Sequence, residues 1–102
     1  MKLMHWNAVE DGPLSETAMR NKLQQLGYAV SRYVYPCGTY FSPHTHGVDK
    51  IDGVLAGEFR MEMAGASVVL KAGDMLVVPS GVLHSAEVVG DEAVVSLDAV
   101  RD

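Results

Sequence analysis

Residues 38–57 read GTYFSPHTHGVDKIDGVLAG. Two of the four histidines in the chain, His44 and His46, stand two apart in this stretch. Along a β-strand, side chains at i and i+2 leave the same face. The two imidazoles are therefore expected to project together, either into the protein or away from it. Lys50, flanked by Asp49 and Asp52, follows within a few residues.

Working outward, the chain breaks into short β-rich runs separated by turn signals. Upstream, YAVSRYVY (28–35) ends at Pro36-Cys37-Gly38. Downstream, KIDGVLA (50–56) reaches Gly57, and EFRMEM (58–63) alternates with Phe59, Met61 and Met63 on one face. SVVL (67–70), MLVVP (75–79), HSAEVV (84–89) and AVVSLDAV (93–100) follow, each bounded by glycine-containing turns. Strands of this length at nearly even spacing indicate a β-sandwich or barrel. With no helical pattern between them, a parallel α/β sheet is not expected.

The only helical pattern precedes them. Met19, Leu23 and Leu26 fall at i, i+4 and i+7. Gly12-Pro13 opens the segment, Glu16 suits the positive end of its dipole, and Gly27 stops it. The spacing predicts a helix over 14–26. The expected organisation is a single domain over 1–102, with an N-terminal segment and helix at 1–27 and a β-barrel at 28–102.

Composition bounds the partners. A 102-residue chain with net charge −5 and no basic run does not favour nucleic acid or an anionic membrane. No apolar stretch reaches bilayer length. The N-terminus, MKLMHWNAVEDG, lacks the apolar core of a secretory signal, so a cytoplasmic protein is expected. The single cysteine, Cys37, forms no internal disulfide and reads as a small residue in its turn.

The third histidine of interest, His84, follows PSGVL at the start of a strand. If that strand lies beside the first, three neutral imidazoles meet on one side of a cation, leaving open positions opposite. That is the ligand set of a catalytic-type metal site. For any one histidine alone, a hydrogen-bonded core or surface residue is the commoner outcome.

The surroundings of all three carry a resemblance. Gly38, His44, His46 and Gly57 stand in the register of the first cupin motif, and Gly73, Pro79, Gly81 and His84 in that of the second. The chain resembles a small single-domain cupin. The resemblance implies an all-β fold, a double-stranded β-helix or jelly-roll barrel, with one short N-terminal helix. It also implies a divalent metal ion (Fe, Zn, Mn or Ni) bound by His44, His46 and His84. Gly57, Gly73 and Gly81 supply the backbone freedom that a small barrel needs at its corners.

Two positions depart from the pattern. Where the family has Glu the chain has Lys50, and where it has Asn the chain has Val88. A protonated lysine has no acceptor and ligates no metal. At ~5 Å from a dication in an effective dielectric of ~20, the repulsion is on the order of 6 kcal/mol. Lys50 is therefore neutral, paired with Asp49 or Asp52, or turned away. Asp52, or Asp49, is the alternative carboxylate ligand. Lys50 and Asp52 share a strand side and are the candidate catalytic, pocket-lining pair, with Lys50 binding an anionic substrate or moving a proton.

Other residues read as structure. Met61, Met63 and Phe59 pack the wall, and Tyr33, Tyr35 and Tyr40 are strand residues, Tyr40 being the one placed to reach the pocket. His5 and Trp6 pack or mediate dimer contacts. The expected function is a metal-dependent, dioxygenase-like enzyme acting on a small-molecule ligand. The alternatives are a non-catalytic metabolite- or metal-sensing barrel and a sugar-type isomerase or epimerase. Polar groups converging opposite the metal would favour an enzyme. A homodimer is expected, pairing along 28–35 or 93–100.

Overall fold

The computed structural model describes residues 1–102. Nine strands form two antiparallel sheets: β1 (Lys2–His5), β2 (Ala29–Tyr35), β3 (Tyr40–His44), β4 (Asp49–Ala56), β5 (Glu58–Met63), β6 (Ala66–Leu70), β7 (Asp74–Val78), β8 (His84–Val89) and β9 (Val94–Arg101). A five-stranded sheet runs β1-β7-β4-β9-β2, and a four-stranded sheet runs β3-β8-β5-β6. This is the expected jelly-roll barrel. Two helices precede β2, a single turn α1 (Ala8–Asp11) and α2 (Glu16–Gln25). No helix is long and apolar enough to cross a membrane.

The apolar residues divide into two layers. Inside the barrel, Val54, Leu76, Val78 and Val94 meet Phe59, Met61, Leu70 and Val88 from the facing sheet. On the outer side of the five-stranded sheet, Ile51, Met75, Leu97 and Ala99 are covered by Met19 and Leu23 of α2. Met19 and Leu23 of the stripe read from the sequence are thus the contact face of the helix, whereas its third member, Leu26, is exposed at the C-cap. Each of its two fully buried anchors contributes about 2 kcal/mol of hydrophobic burial. Gly53 lies beneath the helix, where an added Cβ would sit 2.8 Å from the Met19 sulfur. A glycine inside a strand here allows close approach of the helix.

Several boundaries differ from expectation. The helix begins at Glu16 and not at 14, because Ser15 caps it, accepting from the Ala18 amide. Asn7 likewise caps α1, a turn too short to show periodicity. The N-terminal segment also holds β1, which pairs with β7, and His5 Nδ1 stands 2.6 Å from Asp74 Oδ1 at the end of that ladder. Trp6 donates its indole N–H to the Gly12 carbonyl. Residues 93–100 are no edge, since β9 lies between β4 and β2; β2 itself ends the sheet. Cys37 is exposed in its turn and does not pack as a small hydrophobe.

Gly57, between β4 and β5, has φ +81°, and a Cβ there would meet the Ala93 carbonyl oxygen at 2.5 Å. Gly81 has φ +79° but open space around it. Gly57→Ala is therefore expected to cost about 3 kcal/mol or more, and Gly81→Ala about 1–2 kcal/mol from the left-handed backbone alone. Urea unfolding of the two variants beside the parent measures the difference.

Candidate metal centre

His44 closes β3 and His84 opens β8, and the two are directly paired across the ladder. β3 is an edge strand. It therefore tolerates Pro43, which has no amide proton to give a neighbour. The register shifts between Phe41 and His44. Such a bulge re-aims the side chains that follow it. His46 lies past the strand end, in the loop to β4, where its carbonyl accepts from the Gly81 amide at 2.8 Å. This bond ties the His-x-His loop to the Pro-Ser-Gly turn before His84. Ring centroids are 4.7 Å apart for His44 and His46, 4.4 Å for His44 and His84, and 5.0 Å for His46 and His84.

The donor chemistry fits a cation. His44 Nδ1 lies 2.6 Å from the Ser42 carbonyl oxygen and His84 Nδ1 lies 2.9 Å from that of Val82. A carbonyl has no proton to give, so each Nδ1 carries one, and the Nε2 lone pair is left to ligate. Burial first, with Lys50 and His44 adding, holds His46 and His84 below their ordinary pKa, against the Val82 carbonyl at His84 and Asp98 at His46. Both imidazoles are therefore neutral near pH 7. One ligand nitrogen from each ring lies within 4.8 Å of the others. A tetrahedral metal held at about 2.1 Å sets its donor nitrogens about 3.4 Å apart, so ligation asks the rings to close by up to about 1.4 Å.

The imidazoles line one wall of a cavity of about 160 Å³. Lys50, Asp52 and Asp98 line the other, projecting from β4 and β9 of the five-stranded sheet. Lys50 is neither turned away nor paired with Asp49. Its Nζ lies 2.8 Å from Asp98 Oδ1 and 3.7 Å from Asp52 Oδ1. The contact with Asp98 is close, but its angle is not that of a hydrogen bond, so the pair is held by charge. Burial alone would lower the Lys50 pKa; Asp52 and Asp98 outweigh it and raise the value, so Lys50 stays charged. Asp49 is turned elsewhere: it accepts from the Ser80 amide at 2.9 Å and faces Arg101. Asp52 stands outside the three-histidine cluster.

Two polar cavity residues escaped the sequence reading. Asp98 stands directly opposite Asp52 across the β4–β9 ladder. Its strand alternates Val94, Ser96, Asp98, but the other side of β9 is buried too, so alternation gave no inward direction. Tyr35, not Tyr40, reaches the cavity; Tyr40 is 59% exposed. Burial, with Asp98 and Asp52 adding, holds the Tyr35 phenol well above its ordinary pKa, so it remains a donor. Tyr35, Phe41 and Phe59 pack together as an aromatic flank of the cavity, with centroids 5.0–6.2 Å apart.

The family model described as Cupin domain matches residues 31–100. The chain belongs to the cupin family. Over 74 residues, 72% of its length, this cupin is 32% identical to the nitrosourea synthase of Streptomyces achromogenes subsp. streptozoticus, of which it spans 16%. The solved structure of the DMSP lyase DddQ from Ruegeria pomeroyi DSS-3 is 30% identical with a TM-score of 0.67, over 74% of this cupin and 38% of that chain. KdgF from Halomonas sp. is 28% identical with a TM-score of 0.61, over 74% of this cupin and 71% of that chain.

The acid pair sets a pH dependence. Burial pushes Asp52 up to about 7; Lys50 pulls it down and Asp98 adds to the rise. An unfolded aspartate titrates near 3.9, so between about pH 4 and 7 the folded state binds more protons and this group's contribution to stability falls as pH rises. His46 and His84 act in the opposite sense: their lowered values make stability fall as pH drops below about 6.5. Asp52→Asn removes the first effect alone. The stability of the variant relative to the parent is expected to climb from pH 4 to pH 7 in chelator-treated protein, read by urea unfolding.

Proposed function

We infer that this cupin is a metal-dependent enzyme acting on a small molecule. The observation that carries the reading is the pairing of two walls in one cavity: three imidazoles on one, and a buried Lys50–Asp52–Asp98 array on the other. A barrel that only stored or sensed a metal has no need of three ionisable groups facing it. Burying them costs several kcal/mol unless they are used or fully paired. His44, His46 and His84 hold the divalent cation, iron, zinc, manganese or nickel. Bound there, it supplies Lewis acidity and, as iron, a site for oxygen chemistry.

The chain's own groups do the rest. Asp52 and Asp98 hold or accept a proton at their carboxylate oxygens, and Lys50 keeps the two like charges together. Lys50 also faces the metal, and the two carboxylates offset the repulsion between them. Tyr35 presents its O–H to the ligand, and the aromatic flank excludes water. The substrate brings an anionic oxygen group to the metal end. Two of the similar proteins are named as enzymes, a synthase and a lyase, and lend support to turnover.

Protein purified without a histidine tag or chelator is expected to carry near-stoichiometric metal, lost in His84→Ala, by elemental analysis. No metal in the parent after reconstitution overturns the reading. Lys50→Met is expected to keep the metal and lose turnover by at least a hundred-fold.

We further infer that the protein pairs with a second copy along β2, whose far edge has no strand partner and which exposes Tyr33 and Val34. Sedimentation at rising concentration is expected to give a dimer, and a monomer throughout refutes it.

A further inference from the structure

When Asp52 and Asp98 are both ionised, the five-stranded wall carries one negative charge more than Lys50 balances. Two carboxylates, Asp52 and Asp98, meet one ammonium, Lys50, and the ammonium is committed to Asp98 at 2.8 Å. Asp52 has a side chain only 10% exposed, and Lys50 Nζ is 3.7 Å away, beyond hydrogen-bond reach. Asp98 Oδ1 is buried and makes no directed hydrogen bond. Both acids face the cavity that the imidazoles line. Like charges directly opposite on neighbouring strands are destabilising, and a buried carboxylate short of donors is more so. The wall therefore lacks a positive hydrogen-bond donor, and the cavity beside it is where one would come from.

We propose that the ligand of this site carries a protonated amine that docks between Asp52 and Asp98 while its oxygen group faces the three histidines. The ligand class is a small amino acid or amino alcohol. The proposal rests on the metal-site reading above and adds the second pole of recognition. The size agrees: about 160 Å³ has room for about five waters, hence for a ligand with a handful of heavy atoms. The chemistry agrees too. An ammonium has three donors and no acceptor, so it satisfies Asp52 and Asp98 together. The metal pole rejects it by charge, which fixes the ligand's orientation. A plain carboxylate of the same length would bind the metal pole and leave the acid pair as it was.

The test uses zinc-loaded protein, with zinc content measured first, and titration calorimetry of matched pairs: glycine with acetate, β-alanine with propionate, 4-aminobutanoate with butanoate. In at least one pair the amine-bearing ligand is expected to bind about ten-fold or more tightly than its partner, the worth of one charge-assisted hydrogen bond. Asp52→Asn is expected to bring that ligand down to the level of its amine-free partner. Equal or weaker binding of the amine-bearing member in all three pairs overturns the proposal, as does a preference that survives Asp52→Asn. Failure of the parent to take up zinc overturns the metal reading and this proposal with it, and is told apart by the zinc content alone.

Discussion

β4 is buried on both sides, and most of the molecule follows from that. Its outward face lies under α2 and its inward face lines the barrel, so five of its eight residues, Lys50 to Val54, are buried. A strand in that position is expected to be apolar throughout. This one carries Lys50 and Asp52 on its inward face instead. They are tolerated because Asp98 on the adjacent strand shares the charge and because the cavity keeps a polar path to the histidines. The same burial explains Gly53, the one place where α2 comes close enough to exclude a side chain.

How far the sequence carried the structure depended on whether one face of each element was wet. EFRMEM, with its outer face in water, alternates cleanly, and β5 begins and ends where its pattern does. The glycines and histidines fixed the barrel and the candidate centre because they sit at turns or at the strand ends beside them, where backbone requirements are local. Asp98 was invisible for the opposite reason: on a strand covered on both faces, parity does not say which side is the cavity. β1 and α1 are too short for periodicity to register. Helix α2 was legible through Met19 and Leu23; its start was misplaced because Ser15, with a hydroxyl to accept the Ala18 amide, caps it, and Leu26 falls just past its end and is exposed.

Lys50 shows where motif reading ends and geometry begins. By sequence its neighbours Asp49 and Asp52 were the evident partners. In the fold Asp49 turns to the Ser80 amide, and the closest carboxylate comes from 48 residues away, on β9. Strand pairing, which a sequence shows only through both partners at once, decides which charges meet.

The three imidazoles are not equivalent. Those of His44 and His84 are each pinned through Nδ1 to a carbonyl two residues back, within a strand pair; that of His46 has no such tether and hangs from a loop held by one backbone bond to Gly81. Were a cation bound, the pinned pair would hold it in place, and the ring without a tether would be the ligand freest to leave.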